Sequence, residues 1–150
     1  MDTNTPALPP TLIHKLRRSG HILPACNCQD LQEQELQSLA RLRLKSQLLN
    51  TKFGYLNAYD RLFRHISLTL LAQGYRLTDK QPHQTLRAVA ELQFDALSVN
   101  QMIALRHQLK KTAEAKVEQS CADTLAQLLA SYESIDPQAC QNAQILSIGL

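Results

Sequence analysis

Glycine occupies only four of the 150 positions, tryptophan none, and aromatic residues make up 5% of the chain. So little glycine excludes the glycine-rich loops that cradle nucleotide phosphates, and none of the usual phosphate-loop or nucleophile-elbow spacings occurs. Cysteine is scarce as well: Cys26, Cys28, Cys121 and Cys140 are too few to form a disulfide framework in a chain of this length, and a reducing compartment would keep them as thiols. His21, Cys26 and Cys28 supply three zinc-type ligands, but a structural site takes four and nothing nearby completes the set. No metal and no other cofactor is therefore expected. No uninterrupted apolar run is long enough to span a bilayer, and the N-terminus lacks the apolar core of a secretory signal. A cytoplasmic protein that does not cross the membrane is the expectation. There is no interior linker rich in proline, glycine or serine, which predicts one domain.

What the chain does have is leucine, at 27 positions, accompanied by glutamine and alanine. Unbranched side chains lose little rotamer freedom in a helix, so the composition predicts an all-α fold. Charge is mild overall at +3 but uneven. Residues 1–118 hold 16 basic and 10 acidic groups, whereas residues 119–150 hold three acids and no base. That asymmetry suits an anionic partner.

The stretch from Thr51 to Leu92 organises the rest. Leu56, Tyr59, Phe63, Ile66 and Leu70 recur at steps of three and four, one apolar stripe along a long helix. Gly74 supplies a C-terminal stop because glycine takes the left-handed conformation without a side-chain penalty. A loop from Arg76 to Gln81 follows, with Thr78 or Asp79 as N-cap and Pro82 suited to the first turn of a helix opening near His83. Arg61, Arg64 and His65 read as the wet side of the long helix.

Around this unit, residues 1–29 read as a flexible leader with a short basic helix, Leu12–Arg18, stopped at Gly20. A helix over residues 30–50, capped by Asp30, carries two apolar sides: Leu31, Leu39, Leu42 and Leu49 on one, and Leu36, Ala40, Leu44 and Leu48 on the other. A helix apolar on two sides is expected either to be central in the bundle or to be shared with a second subunit. The third helix takes Leu86, Ala90, Phe94 and Leu97 as its stripe; the fourth starts at Ser98 and runs to about residue 116; the fifth starts at Ser120. In the fourth, Arg106 and Lys110, and beside them His107 and Lys111, form the strongest basic patch. Residues 30–133 are thus expected to form an antiparallel up-down bundle of four to five helices, and 134–150 a C-terminal extension with an apolar end.

The run Tyr55–Tyr59 (YLNAY), the helix ending in Gly74-Tyr75-Arg76 and the helix opened by His83 resemble the HEPN superfamily of small helical bundles over residues 30–133. That resemblance implies a homodimer and, among active members, a metal-independent ribonuclease of toxin–antitoxin type. It also implies a site made of an arginine, four to six spacers and a histidine. Arg76 and His83 are separated by six residues and are the expected catalytic pair, although Leu77 follows the arginine where the family has a polar residue. Arg106 has a polar follower but no histidine at the required spacing. Chemistry agrees with an arginine–histidine pair: metal-free RNA cleavage needs a base for the 2′-hydroxyl proton and a cation for the phosphate. Arg106, His107, Lys110 and Lys111 are the expected RNA-binding residues. The alternative is a noncatalytic helical interaction module: an antitoxin, an adaptor or the partner of a nucleotidyltransferase.

Overall fold

A computed structural model describes residues 7–133, which form six helices and one two-stranded antiparallel sheet. The elements run α1 (Pro10–Arg18), β1 (Ile22–Pro24), α2 (Cys28–Lys45), α3 (Lys52–Ala72), β2 (Tyr75–Leu77), α4 (Pro82–Ala90), α5 (Ala96–Lys111) and α6 (Gln119–Glu133). The protein is mostly helical, as its composition predicts. The expected extension over residues 134–150 and the first six residues of the leader lie outside the described residues.

Helix α3 is the centre. Tyr55, Ala58, Tyr59, Leu62, Ile66, Leu70 and Leu71 are buried along it, and α2, α5 and α6 all pack against it. The helix starts where Thr51 Oγ1 accepts from Gly54 N at 3.0 Å. Gly54 has to be glycine for a second reason: a Cβ there would lie 1.8 Å from the Leu48 carbonyl oxygen. The helix ends at Gly74, whose φ of +90° matches the expected left-handed stop. The Tyr55 hydroxyl donates to the Met102 carbonyl at 2.8 Å, fastening α3 to α5 through a buried bond.

Three expectations are corrected here. The leader is not wholly separate, because Leu8, Ile13, Leu16 and Ile22 belong to the same core as α3. The segment read as a loop from Arg76 includes strand β2, which pairs with β1 in the register Ile22↔Leu77, Leu23↔Arg76 and Pro24↔Tyr75. The third helix does not reach Leu97: α4 ends at Ala90, and Asp95 starts α5 by accepting from Ser98 N at 2.9 Å. Leu97 is accordingly exposed rather than part of a core stripe.

Helix α2 ends at Lys45 rather than near residue 50, so Leu48 and Leu49 of the expected apolar sides lie in the connection to α3. Leu39 is buried against α3, while Leu36, Leu44 and Leu48 stand 56%, 74% and 66% exposed. Arg61 and His65, read as the wet side of α3, are instead tucked under the end of α6. The two side chains are each 11% exposed. Arg61 donates to both carboxylate oxygens of Glu133 at 2.9 Å, and His65 Nε2 lies 2.7 Å from the same carboxylate. The His65 ring also stacks on Tyr132.

Candidate functional site

His83, the second residue of α4, stands between α3 and α5 at the edge of a groove of about 520 Å³. The residue before Pro82 takes an unusual conformation: Gln81 has φ +43° and ψ +61°, left-handed, where a β-carbon is disfavoured and where proline normally forces the preceding residue to be extended. Backbone strain of this kind is held in place by its surroundings and aims the side chain that follows. Phe63 presents its edge to the His83 ring at a centroid distance of 5.2 Å, and Tyr59, one turn earlier on α3, is fully buried beneath both.

Two hydrogen bonds fix the state of the His83 imidazole. Arg106 Nη1 lies 3.2 Å from His83 Nε2, and the Tyr59 hydroxyl lies 3.1 Å from Nδ1. A guanidinium can only donate, so Nε2 is the accepting nitrogen and the neutral ring carries its proton on Nδ1, donating to Tyr59 Oη. The same Arg106 Nη1 lies 3.4 Å from His107 Nδ1, again facing a ring nitrogen that must accept. One amino group of Arg106 thus spans the lone pairs of two neutral imidazoles whose rings meet edge to face at 4.9 Å. The rest of the guanidinium lies 5.5 Å above the Tyr59 ring, a cation–π contact.

Electrostatics agree with that assignment. Burial, then the charges of Arg106, His107 and Lys110, lower the His83 pKa to about 4. Burial, then Arg106 and Lys111, lower that of His107. Burial raises the Tyr59 phenol, so the hydroxyl keeps its proton. Both imidazoles are therefore neutral at physiological pH, and His83 Nε2 is a base held under a cation. Around the groove Arg64 is neutralised by Glu35 at 2.7 Å, but among the described residues no carboxylate pairs with Arg106, Lys110 or Lys111. Asp60 and Asp79 also line the groove, and of its two arginines Arg106 is the one without an ion-pair partner among the described residues.

Of the expected catalytic pair, the structure brings His83 to the groove and leaves Arg76 outside it. Alternate strand residues face opposite ways, and Leu77 and Ile22 face the body of the protein. Arg76 and its cross-strand neighbour Leu23 face outward and are exposed. The arginine that touches His83 is Arg106, from the patch expected to bind RNA. Lys110 and Lys111 are exposed on the last turn of α5, where they also offset the negative end of the helix dipole. Tyr59 and Phe63, which position the imidazole, read in the sequence only as members of the core stripe of α3.

No group of three or more histidine, cysteine, aspartate and glutamate side chains among the described residues could hold a metal ion. Cys26 is exposed, Cys28 half-buried and Cys121 buried, all three as free thiols. No described helix is long and apolar enough to cross a membrane. The chain matches no protein-family model, no curated protein and no solved structure.

Proposed function

We propose that this chain is a cytoplasmic RNA-acting protein of the HEPN type, an up-down helical bundle whose site is His83 with Arg106 rather than with Arg76. The observation that carries the reading is the single Arg106 amino group shared between His83 Nε2 and His107 Nδ1, beside a groove and without a carboxylate partner among the described residues. Arginine grips a phosphate with parallel hydrogen bonds. When a phosphodiester draws Arg106 away, the His83 lone pair is released next to the bound group. His83 then takes the 2′-hydroxyl proton as O2′ bonds to phosphorus and the bond to the 5′ oxygen breaks. The leaving oxygen takes a proton from solvent, and the products are a 2′,3′-cyclic phosphate and a free 5′-hydroxyl. Lys110 and Lys111 extend the cationic surface along the strand. No step requires a metal.

The experiment is digestion of a single-stranded RNA in excess chelator. Cleavage leaving cyclic phosphate ends is expected, lost in His83→Ala and in Arg106→Gln, and retained in Arg76→Ala. Intact RNA, or cleavage that survives the first two substitutions, refutes the catalytic reading.

A second reading rests on a different observation. The exposed leucines Leu36 and Leu44 on α2 and Leu48 in the connection to α3 fit an interaction module that contacts a second copy, an antitoxin or a nucleotidyltransferase. Light scattering at about 50 µM, a concentration above ordinary dimer dissociation constants, is expected to report a dimer that Leu44→Lys disrupts. A monomer of the unaltered chain refutes the homodimer.

A further inference from the structure

A second polar cleft, separate from the His83 groove, lies where the end of α1 meets α4. It encloses about 220 Å³ and is lined by Lys15 and Ser19 of the α1 end, His21 ahead of β1, and Gln84, Arg87 and Glu91 along α4. Three buried side-chain polar atoms among the described residues lack a hydrogen-bond partner, and two of them, His21 Nε2 and Arg87 Nε, belong to residues lining this cleft. A buried polar atom left unpaired is costly, and two such atoms at one small cleft mark the place where a polar ligand would be held.

The cleft is built rigidly. Gly20, at φ +78°, turns the chain between Ser19 and His21. His21 N donates to the Leu16 carbonyl at 2.9 Å and Thr78 N to the His21 carbonyl at 3.1 Å. The Thr78 hydroxyl donates to the Gly20 carbonyl at 2.7 Å, and Lys80 Nζ reaches the Ser19 carbonyl at 2.7 Å. The ring of His21 is oriented by Ser19, whose Oγ lies 2.6 Å from Nδ1 and 2.9 Å from the Lys15 carbonyl. With the hydroxyl hydrogen on that carbonyl, Nδ1–H donates to Ser19 Oγ and Nε2 is an accepting lone pair. Arg87 Nε–H is a charged donor. Arg87 therefore calls for an acceptor and His21 for a donor in the lining of the same cleft.

We propose that this cleft binds the phosphate of a phosphomonoester or free phosphate, with an anionic oxygen on Arg87 and the P–OH on His21 Nε2. A hydrogen phosphate carries both an oxyanion and a hydroxyl on one tetrahedral centre, matching the donor and the acceptor together. Lys15 and Arg87 outweigh the single carboxylate of Glu91, so the site favours an anion. A phosphodiester has no hydroxyl to give, which separates this ligand from the one assigned to the His83 groove.

The test follows the His21 ring resonances by NMR in the full chain while inorganic phosphate, and separately a nucleoside 5′-monophosphate, is added. Saturable shifts of His21 are expected in the unaltered protein and in Arg106→Gln, which removes the other phosphate-gripping side chain. Arg87→Gln is expected to weaken binding about tenfold, the loss of one charge-assisted bond. Lys15→Gln, at an exposed position outside the core, should weaken it roughly threefold through charge alone. Binding of the mononucleotide assigns the cleft to phosphomonoesters, and binding of inorganic phosphate alone assigns it to the free ion. The proposal is overturned if neither ligand shifts His21 saturably, if equal chloride produces the same shift, or if Arg87→Gln and Lys15→Gln bind as tightly as the unaltered chain.

Discussion

Arg106 and His83 set each other's chemistry. A cation donating to Nε2 keeps the imidazole neutral, and a neutral imidazole gives the cation a partner that a phosphate oxygen can replace. Two outcomes follow for a single ring. In the free protein His83 should titrate near pH 4, where burial and then Arg106, His107 and Lys110 place it. Arg106→Gln, or a bound noncleavable RNA with a 2′-deoxy linkage, should move that titration upward, because each removes or offsets positive charge beside the ring. Ring-proton NMR against pH measures both, and an unmoved midpoint contradicts the arrangement. The sign for stability is also determined. His83 binds a proton more readily in the unfolded chain than in the folded one, so its contribution is complete above the ordinary histidine value of 6.5. It is lost as the pH falls toward about 4. Urea unfolding at pH 7 and pH 5 should show a drop that is smaller in His83→Gln.

The histidine of this site was legible as a residue, since an imidazole opening a helix after a proline and a basic loop is a conspicuous chemical signal. Its arginine was not. Spacing along the chain favours Arg76, separated from His83 by six residues, whereas the contact is made by Arg106, on a different helix. What separates the two candidates is strand alternation at Leu77, and a three-residue strand is too short to display a period of two.

Among elements, α3 was the most readable because its apolar stripe is long and both of its ends carry local signals, Thr51 and Gly74. The short strands and the break between α4 and α5 were not, since each depends on partners distant in sequence. Helix propensity also misleads at one position of α3. In an exposed helix, glycine to alanine gains about 1 kcal/mol. At Gly54 the added Cβ meets the Leu48 carbonyl at 1.8 Å, a backbone atom that cannot rotate away. Gly54→Ala should therefore destabilise the protein by about 2 kcal/mol or more, as overpacking does in a close-packed interior. An equal or higher melting temperature would contradict the close approach of the α2–α3 connection. On α4 the opposite is expected of Gln81→Gly. It relieves a left-handed residue and should raise stability by about 0.5–1 kcal/mol while loosening His83. Thermal unfolding should rise as RNA cleavage falls, and the two moving together would argue against a strained positioning role.

At the scale of the whole molecule, one carboxylate ties the end of the described chain to its centre. Glu133 on α6 is held by Arg61 and His65 of α3, and Arg43 of α2 approaches to 4.0 Å. Three helices thus meet on a single charge. Burial by itself would raise the Glu133 pKa, but hydrogen bonds from His65 and Arg61 and their charges prevail and hold it below the ordinary carboxylate value. A depressed carboxylate stabilises the fold above its unfolded value, and that contribution is lost as the pH falls through the folded one. Sequence reading placed Arg61 and His65 in water because no acid lies one turn away on α3; their counter-charge comes 72 and 68 residues later. Breaking such a network from one side leaves a buried cation without its counter-charge, which costs about 3 kcal/mol in comparable sites, whereas replacing both partners with apolar groups is nearly neutral. Glu133→Gln should accordingly destabilise the protein by about 3 kcal/mol at pH 7, and Arg61→Met combined with Glu133→Leu by much less than the sum of the two single changes. Urea unfolding of the four proteins in the cycle measures the coupling. Strictly additive losses would mean that Arg61 and Glu133 act independently, and that the hold of α6 on α3 rests on Leu125, Leu128 and Leu129 instead.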